Sequence, residues 1–423
     1  MQKKFIALAV AGLVSGAAFA QSNVQIYGVA DASFESVSAS GASSGTGYAS
    51  RNRIATNSSL IGFKGAEALG NGLTTIWQIE NQVALDGPSA TTNTQTMANG
   101  WNTRDTYVGL TGGFGTVLAG YISTLQRSTA AKFDLMPGAT GSGSSLNMIG
   151  RVNVGGVYAA ATGVANNFNT TSVGGQDLSN NIGTIFRSQA VAYITPTFSG
   201  FNAAVAYVPN ENRDNTAANA NSVSRNPSGW NVSGNYDNGP LAVSLAYLRL
   251  NDIGSGQAAA NTTFNGAEKH NAWLLGASYA ITPDTKVSFM YDRYDGSLGL
   301  TGSGEASIKR NGYYLGIKQG FGASDVTLVY MKNGDNSVSG LNAAAGKAFG
   351  DDGAQAVSLR YAYNASKRTQ FYAIYTEILN KTNGNYDFSG IDPVAPGGTG
   401  GGNGVVNAGA DPRVIGVGIR HSF

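Results

Sequence analysis

The sequence predicts an all-β fold: a 16-stranded antiparallel transmembrane β-barrel with long extracellular loops, the third folded into the pore. Three observations carry this. Segments in which apolar and small-polar residues alternate recur along the chain, as a wall with one face in lipid and one in water requires. Tight turns rich in Gly, Pro, Asn and Asp alternate with long polar connections. No helical run of about 20 apolar residues follows the N-terminal segment, which leaves strands as the only means of spanning a membrane.

The alternation is plain in single segments. Leu241, Val243, Leu245 and Tyr247 point one way while Ala242, Ser244 and Ala246 point the other. Val357, Leu359, Tyr361 and Tyr363 oppose Ser358, Arg360 and Ala362, which puts a charge on the small-polar face. Tight turns at 112–115, 196–200, 237–240, 282–284, 320–322 and 364–367 bound such segments. The strands so read are 23–37, 51–65, 72–85, 103–111, 115–123, 184–196, 200–209, 228–237, 240–251, 269–282, 284–294, 308–320, 323–333, 353–365, 367–380 and 411–423. An even number lets the sheet close, so that no edge is left unpaired in lipid. The last strand ends on an outward Phe423 and is expected to close the barrel. Tyr107, Tyr207, Tyr236, Tyr291, Tyr294 and Tyr363 lie near strand ends, where aromatic girdles are expected at the two interfaces.

Composition narrows the function. Lys3 and Lys4, the apolar stretch 5–14 and Ala18-Phe19-Ala20 form a secretory signal with cleavage expected after Ala20, which makes the domains 1–20 signal peptide and 21–423 barrel. Without Lys3 and Lys4 the basic and acidic residues balance at 25 each, so nothing suggests nucleic-acid capture. Cys 0 and His 2 leave few parts for a metal site or a nucleophilic triad, and no cofactor is implied. The glycine-rich stretch 340–347 has the wrong spacing for a phosphate loop.

One connection stands apart. Residues 124–183 form a Gly-, Ser- and Asn-rich stretch far longer than the others, and structureless loops of that length are uncommon unless functional. It is expected to fold into the lumen and narrow it, with Arg127, Lys132, Asp134 and Arg151 as its ionisable side chains. On the wall, Gln78 and Glu80 alternate with outward Trp77 and Ile79, which turns Glu80 inward.

The stretches VQIYGVADAS, IGFKGAEALGNGLTTIWQIE (61–80), RDTYVGLTGGFGTVLAG (104–120), RSQAVAYITPTFSGFNAAVAY (187–207) and the closing GVGIRHSF resemble the trimeric general porins of Gram-negative outer membranes, in particular the beta-proteobacterial branch. The resemblance implies a homotrimer in outer-membrane lipid, passive diffusion of ions and small hydrophilic solutes, and a third loop facing a ladder of basic wall residues. Here the sequence departs from the branch: Leu60 follows Ser59, and Tyr121 follows Gly120, where arginines are expected. Lys64, Arg360 and Arg420 remain as basic wall, with Asp134 as the opposing acid. Opposed charges across a narrow aqueous gap bias which ions pass. With two arginines missing, the anion preference common in the branch is not carried over.

Other readings stay open. A sugar-specific channel would line its constriction with aromatics, for which Tyr121 and Phe133 are candidates. A surface adhesin or receptor barrel would use the long loops 86–102, 210–227, 334–352 and 381–410. An enzyme would need a base, and His270 at the rim and an outward His421 are expected to be plain solvated or surface histidines; Asp351 and Asp352 are expected to face solvent.

Overall fold

The computed structural model describes residues 24–43, 45–86, 104–136, 141–153, 181–183, 187–211, 213, 226–252, 264–300, 305–340, 349–388, 394 and 406–423. The expected signal segment and most of the long polar loops lie outside them, as does 154–180 of the long connection.

Sixteen strands form one closed antiparallel sheet. They are β1 Gln25–Ser40, β2 in two segments Tyr48–Thr56 and Leu60–Gly70, β3 Leu73–Gln82, β4 Thr106–Gly112, β5 Gly115–Ser123, β6 Arg187–Ile194, β7 Phe201–Val208 and β8 Ser228–Asn238. There follow β9 Leu241–Asn251, β10 Phe264–Ala280, β11 Thr285–Leu300, β12 Glu305–Phe321, β13 in two segments Ser324–Asn333 and Ser337–Ser339, β14 Ala354–Asn364, β15 Thr369–Asn380 and β16 Asp411–Ser422. Each pairs with its neighbours in sequence, and β1 pairs with β16 from Val29↔Ser422 to Ser40↔Asp411. The seam ends in a reciprocal pair, Gly28 N to Phe423 O at 3.0 Å and Phe423 N to Gly28 O at 3.1 Å.

Period-two patterning fixes which face each side chain takes. On β16, Ile415, Val417 and Ile419 are exposed outward while Arg420 turns inward to Asp31. On β9, Leu245 is exposed outward and Ser244 and Ala246 are buried inward. Outward aromatics form two bands. The rings of Phe201 and Tyr236 meet, tilted, at 4.3 Å between centroids beside a tight turn; those of Tyr207 and Trp230 meet likewise at 4.8 Å six residues up the same strand pair. At about 3.3 Å per residue the bands stand about 20 Å apart along the strand. Two of the expected girdle tyrosines correct the reading: Tyr107 pairs in register with the inward Gln78, and Tyr294 is 1% exposed and turned inward to His270. Both sit at inward parity, which proximity to a strand end does not reveal.

The wall is uneven. Strands β4 to β7 have seven to nine residues, whereas β10 to β12 have 16 or 17. The long connection starts at the end of β5 on the low side and crosses to the high side. It is not structureless. Helix α1, Leu125–Phe133, begins at Thr124, whose hydroxyl accepts from Arg127 N at 3.3 Å. Short 3-10 turns follow at Gly141–Gly143 and Ser145–Asn147, then a small ribbon of Arg151–Asn153 against Asn181–Gly183.

Candidate functional site: the inner wall and the loop that covers part of it

Helix α1 buries Gln126, Thr129, Ala130 and Phe133, an i, i+3, i+4, i+7 stripe, against the inward faces of β8 to β11. The contacts are specific. Asn231 on β8 donates to Gln126 Oε1 at 2.6 Å and accepts from Leu125 N at 2.5 Å. Ser288 on β11 donates to Phe133 O at 2.5 Å, and Lys132 reaches Asp237 at 2.8 Å and Ser244 at 3.2 Å. Phe133 is fully buried over Gly276 of β10; a Cβ on that glycine would stand 2.1 Å from the ring. Only a residue without a side chain lets the helix lie this close to the sheet.

Beyond the helix, hydrogen bonds fasten the chain at both ends of a turn. Asp134 is 3% exposed; its carboxylate accepts from Met136 N at 2.9 Å, Ser145 N at 2.8 Å and Tyr314 Oη at 3.3 Å. Burial pushes its carboxyl above the ordinary carboxylate range, and these hydrogen bonds oppose the shift. Further on, Asn333 donates to Met148 O at 2.7 Å and Gly150 N donates to Asp292 at 3.2 Å. Asp292 is also ion-paired to Arg310, whose side chain is fully buried.

The wall that helix α1 leaves uncovered, β14 to β16 and β1 to β4, carries the charge, and the 3-10 turn Gly141–Gly143 touches it at β14 and β15. Arg420 pairs with Asp31 at 2.9 Å, Tyr372 donates to Asp31 at 2.7 Å, and Arg360 lies over the Tyr372 ring at 4.5 Å. Arg53 pairs with Glu35 at 2.8 Å. Tyr27 donates to Glu80 at 2.9 Å and carries Lys64 over its ring at 5.0 Å, while Arg104 reaches Glu80 at 3.1 Å. Where the loop departs, Arg187 pairs with Asp105 at 3.2 Å. The break in β2 serves this wall. Ser58 takes a positive φ of 55°, and Asn57 turns in to donate to Asp31, Ser33 and Tyr372.

The residues singled out from the sequence therefore divide. Arg360 and Arg420 come together around Asp31 and Tyr372, and Lys64 and Glu80 share Tyr27. Arg127 is half-buried at the loop base; burial first, then Arg187 and Arg104, push its guanidinium well below its ordinary value. Lys132 is tied to the far wall, and Arg151 donates to Leu146 O at 2.7 Å within the loop. Asp134 does not confront the basic wall: it is 3% exposed, and its carboxylate is turned to three hydrogen-bond donors under the loop. Tyr121 shares register with Thr106 and Gln189 on the face of the exposed Val117 and Val108, outside the lumen. With Phe133 buried and Tyr121 outward, neither aromatic lines a sugar path. Leu60, by contrast, stands inward opposite Val29.

Two other expectations change. His270 is 2% exposed beneath Tyr294 and not solvated at the rim, and Asp352 is 4% exposed, accepting from Asn336 N at 2.7 Å and Asn336 Nδ2 at 2.8 Å. Sequence reasoning missed Asp31, Glu35, Arg53 and Tyr372. The signal was present, since Tyr27, Asp31, Ser33 and Glu35 share one parity on β1.

Comparison with known proteins agrees with this architecture. Residues 7–383 match the family described as Gram-negative porin. The chain is 30% identical over 428 residues to outer membrane porin protein 32 of Delftia acidovorans, covering 100% of both. It is 28% identical over 250 residues, 59% of each chain, to the major outer membrane protein P.IB of Neisseria lactamica. Among solved structures, an anion-selective porin from Comamonas acidovorans superposes with a TM-score of 0.64 at 25% identity, covering 95% of this chain and 100% of that one. A closed sixteen-stranded wall, polar within and apolar without, and a family match over most of its length place this chain among the Gram-negative porins, the outer-membrane channels for passive diffusion.

Proposed function

We propose that the aqueous path runs between helix α1 and the charged wall of β14 to β16 and β1 to β4, beside the 3-10 turn that bridges them, and that this gap sets which solutes pass. The supporting observation is the division of the inner face. Helix α1 covers β8 to β11 with uncharged contacts apart from Lys132–Asp237, while the facing wall keeps its arginines and carboxylates in place by ion pairs. Asp31, Glu35, Glu80 and Asp105 are each paired with an arginine, whereas Lys64 makes no ion pair with a described residue. The excess of positive charge favours anions even with leucine at position 60. The Comamonas acidovorans porin, whose fold is similar, is itself described as anion-selective.

The protein acts without a chemical step, as a homotrimer, after removal of residues 1–20. Trimerisation is supported by a solved Vibrio cholerae outer-membrane protein described as a trimer form, whose fold this chain shares. Planar-bilayer recording of the refolded protein tests the whole reading. Large ohmic openings that close in three steps, with a reversal potential of anion sign in a salt gradient, are expected. Well-folded protein that opens no channel overturns it, and a cation sign overturns the charge argument alone.

A further inference from the structure

Arginines on the inner wall are held by carboxylates: Arg53 by Glu35, Arg104 by Glu80, Arg310 by Asp292 and Arg420 by Asp31. Arg360 is held differently. It is 3% exposed, yet no carboxylate oxygen of a described residue lies within 4.0 Å of its guanidinium. One amino group donates to Gln370, the guanidinium lies over the Tyr372 ring, and Nη1 has no hydrogen-bond partner among the described residues.

Arg360 lines a small cavity between wall and loop, and so does Ser142, 3% exposed, in the 3-10 turn Gly141–Gly143, whose hydroxyl likewise has no hydrogen-bond partner among the described residues. Gly141 brings the turn this close: at a φ of 64°, a Cβ there would lie 2.4 Å from Asn57 Oδ1. The other polar side chains that line it among the described residues are engaged. Glu35 accepts from Arg53 and Ser33, Asn57 donates to Ser33 and Tyr372, and Tyr372 donates to Asp31. Met136 and Ile374 also line it. The space admits about one water-sized sphere, too little for a polyatomic anion.

We propose that this cavity is a fixed anion site, in which one chloride-sized halide bridges Arg360 Nη1 and Ser142 Oγ and joins the loop turn to β14 and β15. A water molecule would satisfy the two hydrogen bonds but leave the buried guanidinium without a contacting counter-charge, since Asp325 and Asp31 act on it only from beyond ion-pair distance, and a buried charge without such a contact is costly. A halide does both. The ion is resident, off the solute path, and independent of whether the gap conducts.

The test uses the full-length protein in detergent. Crystals soaked in bromide are expected to show an anomalous peak between Arg360 Nη1 and Ser142 Oγ. In solution, chloride replacing gluconate at constant ionic strength is expected to raise the thermal unfolding midpoint of the wild type. Ser142→Ala, which removes a hydrogen bond to a charged group, needs about tenfold more chloride for the same shift, and Arg360→Gln shows neither peak nor shift. Density without anomalous signal overturns the site in favour of water. A peak whose solution counterpart is the same in wild type and Ser142→Ala shows binding at crystal concentration only, and overturns it too. Conductance of the same preparations reports separately on the channel.

Discussion

Asp292 shows how much one buried side chain controls. It neutralises Arg310, whose side chain is fully buried, and it also receives the loop through Gly150 N. Asp292→Asn is expected to destabilise the barrel by about 3–5 kcal/mol in urea unfolding, since it strands a buried guanidinium; replacing both partners with apolar residues should recover much of the loss. On the open wall the effect is electrostatic instead. Leu60→Arg puts a charge on the inward face and should move the reversal potential further towards anions, whereas Tyr121→Arg, at an outward register position, should leave it unchanged. Asp352 gives a pH signature outside the strands. Burial pushes its carboxyl from 3.8 to about 6, so the folded state keeps a proton the unfolded chain has lost. Stability should therefore fall as pH rises from about 4 to about 6 and level off on either side. Unfolding midpoints across that window should drop more for the wild type than for Asp352→Asn.

At the scale of elements, the helix and its seat are the informative pair. A Cβ at position 276 meets the Phe133 ring at 2.1 Å, so Gly276→Val should lift α1 from the sheet without altering strand content. The expected readout is a noisier, more variable single-channel conductance with an unchanged circular dichroism spectrum. Phe133→Ala in the same chain should quieten it by making room. The strands were readable from alternation, most ends falling within a few residues, because each strand needs only its own period-two pattern. Helix α1 was not. Thr124 followed by Leu, Gln, Arg, two Ala and Lys carries an N-cap and good helix formers, yet the segment sits in a polar, Gly-rich stretch, and nine residues do not hold a helix without the sheet they pack on. The break in β2 escaped as well, since Asn57, Ser58 and Ser59 interrupt a pattern that otherwise runs through.

For the whole molecule, the closed sheet makes the outer face a continuous apolar surface and the inner one a polar lining. Leu315 is 58% exposed on the outer face of β12, so Leu315→Lys should cost about 2–4 kcal/mol for folding into lipid vesicles, the penalty for a charge near mid-membrane. The high side, β10 to β12, gives the loop inward surface to dock on, and the charge is carried by β14 to β16 and β1 to β4. The Arg420–Asp31 pair of that wall brings together the two ends of the chain, which is why no local window of sequence could reveal it.

Period-two alternation, tight turns and an even strand number were sufficient to determine a membrane barrel and to say which residues face inward, because face is a local property of a strand. Which inward residues meet was decided only by the tertiary structure. Asp31 finds Tyr372 across 341 positions and Arg420 across 389, through the closing of β1 on β16 and the register of that seam. The same holds for Asp134, whose charge the composition displays but whose burial depends on a tyrosine 180 residues away. Alternation assigns a side chain to water or to lipid; whether that water is open lumen or a sealed contact under a loop is settled by what else folds against it.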